Sequence, residues 1–272
     1  MPYDLGATAR LTAECRSPAG TLVTATAAVV TVTLPDGTTA TPTVSETDTG
    51  SYRADYVTTQ AGRHTVRWVF TGPAHAYTDI VDVREAALTW VFSLADAKNH
   101  IKLATASQDE EVRRWIGATT KCVEWFVGPV APRTVTEDHN VRQAEALALR
   151  KIPALSLTTV AAVLDGGTSY EVGGLDLDGA DGIVRRKNGG LFYGPLRVTY
   201  RAGRLIVTEN ISSAAELIFQ HLWRTRLGPG RTQQRGGGDD YDVTEPIPGL
   251  GYAIPNRAMQ LLSPDQLPPG TA

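Results

Sequence analysis

The chain has 272 residues, 42% of them hydrophobic, and a formal net charge of −3 at pH 7. That is length and apolar content enough for two cores, and the slight acidity argues against a nucleic-acid reader, which carries a basic face. No apolar run approaches the ~18 residues needed to cross a bilayer, and the first residues do not follow the basic-then-apolar order of a signal peptide. The two cysteines, Cys15 and Cys122, fall in different predicted domains, so no disulfide is expected between them and assembly in a reducing cytoplasm is the simpler reading.

The first segment reads as extended structure. Residues 21–34 are rich in Thr, Val and Ala without a helical period, Pro35-Asp36-Gly37 makes a turn, and further extended runs cover residues 51–58 and 64–70. In the last of these Val66, Trp68 and Phe70 project to one face and Arg67 to the other, as a half-buried strand requires. Asp48-Thr49-Gly50-Ser51-Tyr52 resembles the tyrosine-corner segment of immunoglobulin-like domains, whose buried ring returns its hydroxyl to nearby backbone. Ala54 stands where the second cysteine of antibody domains would be. An immunoglobulin-like sandwich without its disulfide is expected over residues 1–88.

Residues 89–227 open and close on helices. Ser93 precedes Leu94-Ala95-Asp96, so its hydroxyl can accept from first-turn amides while Asp96 sits near the positive end of the helix dipole; this predicts a helix over about 94–103. Ser107-Gln108-Asp109-Glu110 is a second capping box, followed by Val112, Ile116, Thr119, Val123 and Phe126 at helical spacing. The helix runs over about 108–127 and stops at Gly128-Pro129. Ser213-Ala214-Ala215-Glu216 repeats the box and predicts a third helix over about 213–227, with Arg224 and Arg226 suited to its negative end.

Between the second and third helices the period changes to two. Leu147 and Leu149, then Leu157, Val160, Ala162 and Leu164, lead to the turn Asp165-Gly166-Gly167, after which Tyr170-Glu171-Val172 can return as a partner strand. Leu175 and Leu177 precede the turn at residues 178–182, Ile183-Val184-Arg185 follows, and Arg197-Val198-Thr199-Tyr200 alternates before Ala202-Gly203. A small β-meander is expected over about 147–209.

No catalytic constellation is visible in the chain, and neither enzyme activity nor a cofactor is expected. Asp176-Leu177-Asp178-Gly179-Ala180-Asp181-Gly182 departs from a calcium loop: Ala180 holds its fifth place, Asp181 the place of the turn glycine, and Lys187 replaces the bidentate Glu. The histidines His64, His75, His100, His139 and His221 do not reach metal-ligand spacing, so no metal site is expected. Gly236-Gly237-Gly238-Asp239-Asp240 lies in a Gly-rich tract and not on a hairpin.

Four stretches together resemble the head-to-tail connector, or adaptor, proteins of tailed bacteriophages. They are Ser93-Leu94-Ala95-Asp96-Ala97-Lys98-Asn99-His100-Ile101-Lys102-Leu103; Gln108-Asp109-Glu110-Glu111-Val112 opening a long helix; Ile152-Pro153-Ala154-Leu155-Ser156-Leu157-Thr158-Thr159-Val160; and Val198-Thr199-Tyr200-Arg201-Ala202-Gly203 ahead of the last helix. The likeness covers about half the chain. It implies an α+β multidomain protein in which a mainly α-helical connector domain with a β insertion follows the sandwich. It also implies a dodecameric ring under the portal protein, in the neck of a siphophage virion, that seats the next tail-completion or head-closure component and passes viral DNA without sequence-specific binding. A carbohydrate-binding or adhesive β-sandwich module is the alternative.

Residues 228–272 hold 8 Gly and 7 Pro among 45, a composition that predicts an extended arm. Its apolar groups Tyr241, Ile247, Tyr252, Ile254, Pro255, Met259, Leu261 and Leu262 are expected to dock on the portal or a neighbouring subunit. Trp115, Trp125, His221 and Trp223 are the expected contacts between subunits, since interfaces favour large aromatic groups.

Overall fold

A computed structural model describes residues 2–87, 89–226 and 254–267. The chain divides into two compact units, Met1–Leu88 and Thr89–Ala272.

The first unit is a two-sheet β sandwich. Strands β1 (Tyr3–Asp4), β2 (Thr8–Glu14), β3 (Ala27–Thr33), β4 (Thr39–Ala40), β5 (Val44–Asp48), β6 (Ser51–Val57), β7 (Gly62–Thr71) and β8 (His75–Arg84) form one sheet in the order β1-β8-β7-β3-β4 and another in the order β2-β6-β5. Alternation decides which groups meet: Ala9, Leu11 and Ala13 of β2 and Val66, Trp68 and Phe70 of β7 are all buried in one cluster with Val30, Val32, Tyr52 and Tyr56. The Tyr52 hydroxyl accepts a hydrogen bond from the Ala25 amide at 2.7 Å, so the ring ties its strand to the loop before β3.

His64 shares that core at 0% exposure, edge-on to Tyr56, and neither of its ring nitrogens has a hydrogen-bond partner among the described residues. A buried polar group left unsatisfied costs ~1–3 kcal/mol, so His64→Phe is expected to stabilise the sandwich by about 1 kcal/mol. Urea unfolding of the full chain checks this; a loss of stability on the scale of a core truncation would show that the imidazole is satisfied.

The second unit combines helices with two further sheets. Its helices are α1 (Leu94–His100), α2 (Asp109–Val127), α3 (Glu209–Thr225) and α4 (Asn256–Leu262). Strands β9 (Arg133–Ala144), β11 (Ala154–Ala162) and β14 (Phe192–Ala202) pair in the order β11-β14-β9; β10 (Ala146–Ala148), β12 (Leu175–Asp178) and β13 (Ile183–Arg186) pair in the order β10-β13-β12. Leu147, Leu175 and Val184 of the short sheet pack with Phe192, Leu196, Val198 and Tyr200 of the long one in a single core. Across the described chain 40% of residues lie in strands and 24% in helices. The expectation of a mainly α-helical connector domain is therefore corrected: the strands form a layered core of their own between α2 and α3.

The helix ends differ in detail from the expected ones. Ser93 forms the full capping box, its Oγ accepting from the Asp96 amide at 3.1 Å while the Asp96 carboxylate accepts from the Ser93 amide. The cap of α2 is Gln108 without a side-chain bond, and not the Ser107 box; Asp109 instead pairs with Lys98 of α1 at 2.6 Å. Helix α3 begins after Thr208, four residues before the predicted Ser213, because Ile211 in the added turn is fully buried against the helical core. The return strand expected at residues 170–172 is reduced to a single bridge between Val160 and Tyr170.

The C-terminal residues are also corrected. Residues 254–267 are not an extended arm: α4 and the 3-10 turn Ser263–Asp265 lie against α3 and α2, with Ala258 and Leu262 buried. The Asn210 side-chain amide donates to Leu261 O at 2.9 Å and to the Asp265 carboxylate at 2.8 Å, and the Leu267 amide donates to Phe126 O.

Candidate functional site

Helix α2 turns Val112, Ile116, Val123 and Val127 inward, all fully buried, and its spacing leaves Trp125 on the outside at 68% exposure. Beside Trp125 a cleft of about 410 Å³ opens where α2 ends, between Lys121 and Glu124 of the helix, Arg133 and Val135 of β9, and Lys151 and Ile152 of the loop before β11. Leu267, following α4, closes one side.

Two devices hold these pieces together. Gly128 ends α2 with φ 73° and ψ −171°, and an added Cβ would lie 2.0 Å from Ile152 O, so the helix end and the β10–β11 loop touch backbone to backbone. The Glu124 carboxylate, its side chain 8% exposed, accepts from Arg133 at 2.9 Å and from the Val130 amide at 3.3 Å and lies 3.6 Å from the Lys121 ammonium. The loop leaving the helix is thereby pinned to the first residue of β9.

A polar cluster under the loop positions Lys151. The buried Tyr200 hydroxyl accepts from the Lys151 amide at 2.9 Å, and burial above all pushes the phenol up to about 12. Glu137 is 9% exposed and accepts from His139 Nε2 at 2.9 Å and from the Arg150 amide at 3.0 Å. Burial would raise its carboxyl, but these bonds and the neighbouring positive charges outweigh burial and hold it below its ordinary 4.5. A carboxylate depressed in the folded state contributes stability that is complete above its unfolded value and lost as pH falls through its folded value. Acidification from neutrality through the carboxylate range is therefore expected to lower the urea midpoint of the native chain more than that of Glu137→Gln; parallel losses would refute the assignment. The cluster acts on the position of the loop.

The predicted interface groups separate on the structure. Trp115 and Trp223 are half-buried against the cluster formed by Ala97, Val112, Ile116 and Phe219, with the Arg226 guanidinium 3.6 Å above the Trp223 ring. His221 is likewise half-buried, and burial lowers its pKa. Trp125 alone of the four projects outward. In the arm, Leu262 is a core residue at 1% exposure, Ile254 and Leu261 pack against the same core, Pro255 starts α4 and Met259 is 37% exposed. These positions bind the arm to its own unit. Tyr241, Ile247 and Tyr252 lie outside the described residues. The exposed Leu205 (77%) and Ile206 (79%), ahead of α3, carry no periodic signal and are not among the predicted groups. Trp68, the sandwich's one tryptophan, is 1% exposed and offers no ring face to a sugar.

No group of three or more His, Cys, Asp or Glu side chains fit to hold a metal ion occurs among the described residues. No described helix is long and apolar enough to cross a membrane. No protein-family model and no curated protein matches the chain. Among solved structures it is similar to the filamin domain of Lin-41, at 19% identity and TM-score 0.28 over 30% of this chain and 82% of that one. It is also similar to a DUF4785 family protein from Legionella pneumophila, at 8% identity and TM-score 0.28 over 73% of this chain and 40% of that one. At those scores neither likeness carries an argument about role.

Proposed function

We propose that this chain is a structural subunit of a phage head-to-tail connector, assembling as a homo-oligomeric ring that docks under a portal protein and extends the DNA channel toward the tail. The observation that carries the reading is that large apolar side chains stand uncovered among the described residues of the second unit, foremost Trp125 at 68%, Leu205 at 77% and Ile206 at 79% exposure. Leaving such groups in water forgoes ~1.5–3 kcal/mol each, a loss that a neighbouring subunit recovers by covering them. The resemblance of residues 93–103, 108–124, 152–160 and 198–203 to connector proteins supplies the identity of the assembly. The role is one of contact and passage; the sandwich is a decoration on the ring subunit.

Native mass spectrometry of the purified full chain tests this, alone and with portal protein. A closed ring with twelve copies is expected, and Trp125→Ser together with Leu205→Ser should shift the population toward the monomer by at least tenfold. A strict monomer at high concentration under both conditions would overturn the reading.

A further inference from the structure

The cleft beside Trp125 carries charge that its own walls do not neutralise. Among its described lining residues, Lys121, Arg133 and Lys151 bring three cations to it, against the one carboxylate of Glu124. That carboxylate is already engaged by Arg133 and by the Val130 amide, and the Lys121 side chain is 75% exposed. Two net positive charges therefore rim an opening whose walls include Trp125, Val135, Ile152 and Leu267. Cations set around an aromatic wall are complementary to a peptide in which carboxylates flank an aromatic group.

The chain itself contains such a peptide. Asp239-Asp240-Tyr241-Asp242-Val243-Thr244-Glu245 has four carboxylates, no basic residue and one tyrosine. We propose that the Trp125 cleft receives residues 239–245 of a second copy of this chain. Laid extended, that sequence presents Asp239, Tyr241, Val243 and Glu245 on one side, two apolar groups for the cleft walls between two carboxylates for Lys121 and Lys151. The inference rests on the homo-oligomeric reading above and names the contact that joins one copy to the next.

Photo-cross-linking tests it in the full chain. Tyr241→p-benzoylphenylalanine is introduced, isotopically heavy and light copies are mixed, and cross-linked peptides are identified by mass. Heavy-to-light cross-links from position 241 to the peptides holding Lys121 and Trp125, or Lys151 and Ile152, are expected. Lys121→Glu with Lys151→Glu should lower their yield at least tenfold, and adding Asp239→Lys with Glu245→Lys should restore most of it. Trp125→Ser, at an exposed position that does not burden folding, should lower the yield as well. An oligomer whose cross-links run elsewhere, join light only to light, or ignore the charge reversals overturns this contact and leaves the ring reading standing. A chain that remains monomeric overturns both.

Discussion

Gly128→Ala is expected to destabilise the second unit by about 3 kcal/mol or more, because it combines a backbone conformation essentially confined to glycine with a main-chain collision. At φ 73° and ψ −171° the residue sits where a Cβ meets its own backbone, and that Cβ would stand 2.0 Å from Ile152 O. Relief requires moving either the end of α2 or the β10–β11 loop. The first carries the buried Val127 and the second the buried Ile152. Gly166→Ala provides the control: its φ is 75°, nothing lies within 4 Å of an added Cβ, and only the left-handed backbone is penalised, at ~1–2 kcal/mol. Tryptophan fluorescence during urea unfolding follows the relevant unit, which holds Trp90, Trp115, Trp125 and Trp223. Equal losses for the two variants would mean that the backbone contact at Ile152 is not tight.

Leu262→Ala is expected to cost ~2–4 kcal/mol, the range for truncating a buried leucine whose surroundings cannot fully collapse. The side chain is 1% exposed and lies in one cluster with Val123 and Val127 of α2 and Ile211, Ala214 and Ile218 of α3. Met259→Ala, one turn earlier and 37% exposed, should stay within about 1 kcal/mol of the native chain. The same packing sets the outcome of truncation: ending the chain after Gly228 removes Ala258 and Leu262 from the core and unpairs Asn210 from Leu261 O and Asp265. Such a truncation should lower the urea midpoint, and the amides of α4 should be protected from hydrogen exchange in the isolated subunit. If Leu262→Ala behaves like Met259→Ala, the helix is not held by this core.

Features that depend on neighbours along the chain are legible in the residues themselves. Ser93 and Asp96 meet because a step of three residues spans nearly one helical turn, the α2 stripe from Val112 to Val127 needs only a period of 3.6, and Gly128-Pro129 must end it. Likewise, the alternation of Val66, Trp68 and Phe70 is enough to place one face of β7 inward. Strand β9 was illegible for the opposite reason: its inward positions are Val135, Glu137, His139 and Val141, and a Glu between apolar neighbours reads as surface until His139 and the Arg150 amide are brought to it. Without β9 the strand section reads as a minor meander, and the connector resemblance then implies a helical domain where two sheets form a core. The start of α3 and the docking of α4 were hidden in the same way. Ile211 extends one helix and Leu262 anchors another only because other elements supply the apolar surface that covers them. The Trp125 cleft belongs to this second kind: α2 places the ring outward by local geometry, but Arg133, Lys151 and Leu267 reach it only through the tertiary fold, since burial is a property of surfaces that the chain order does not join.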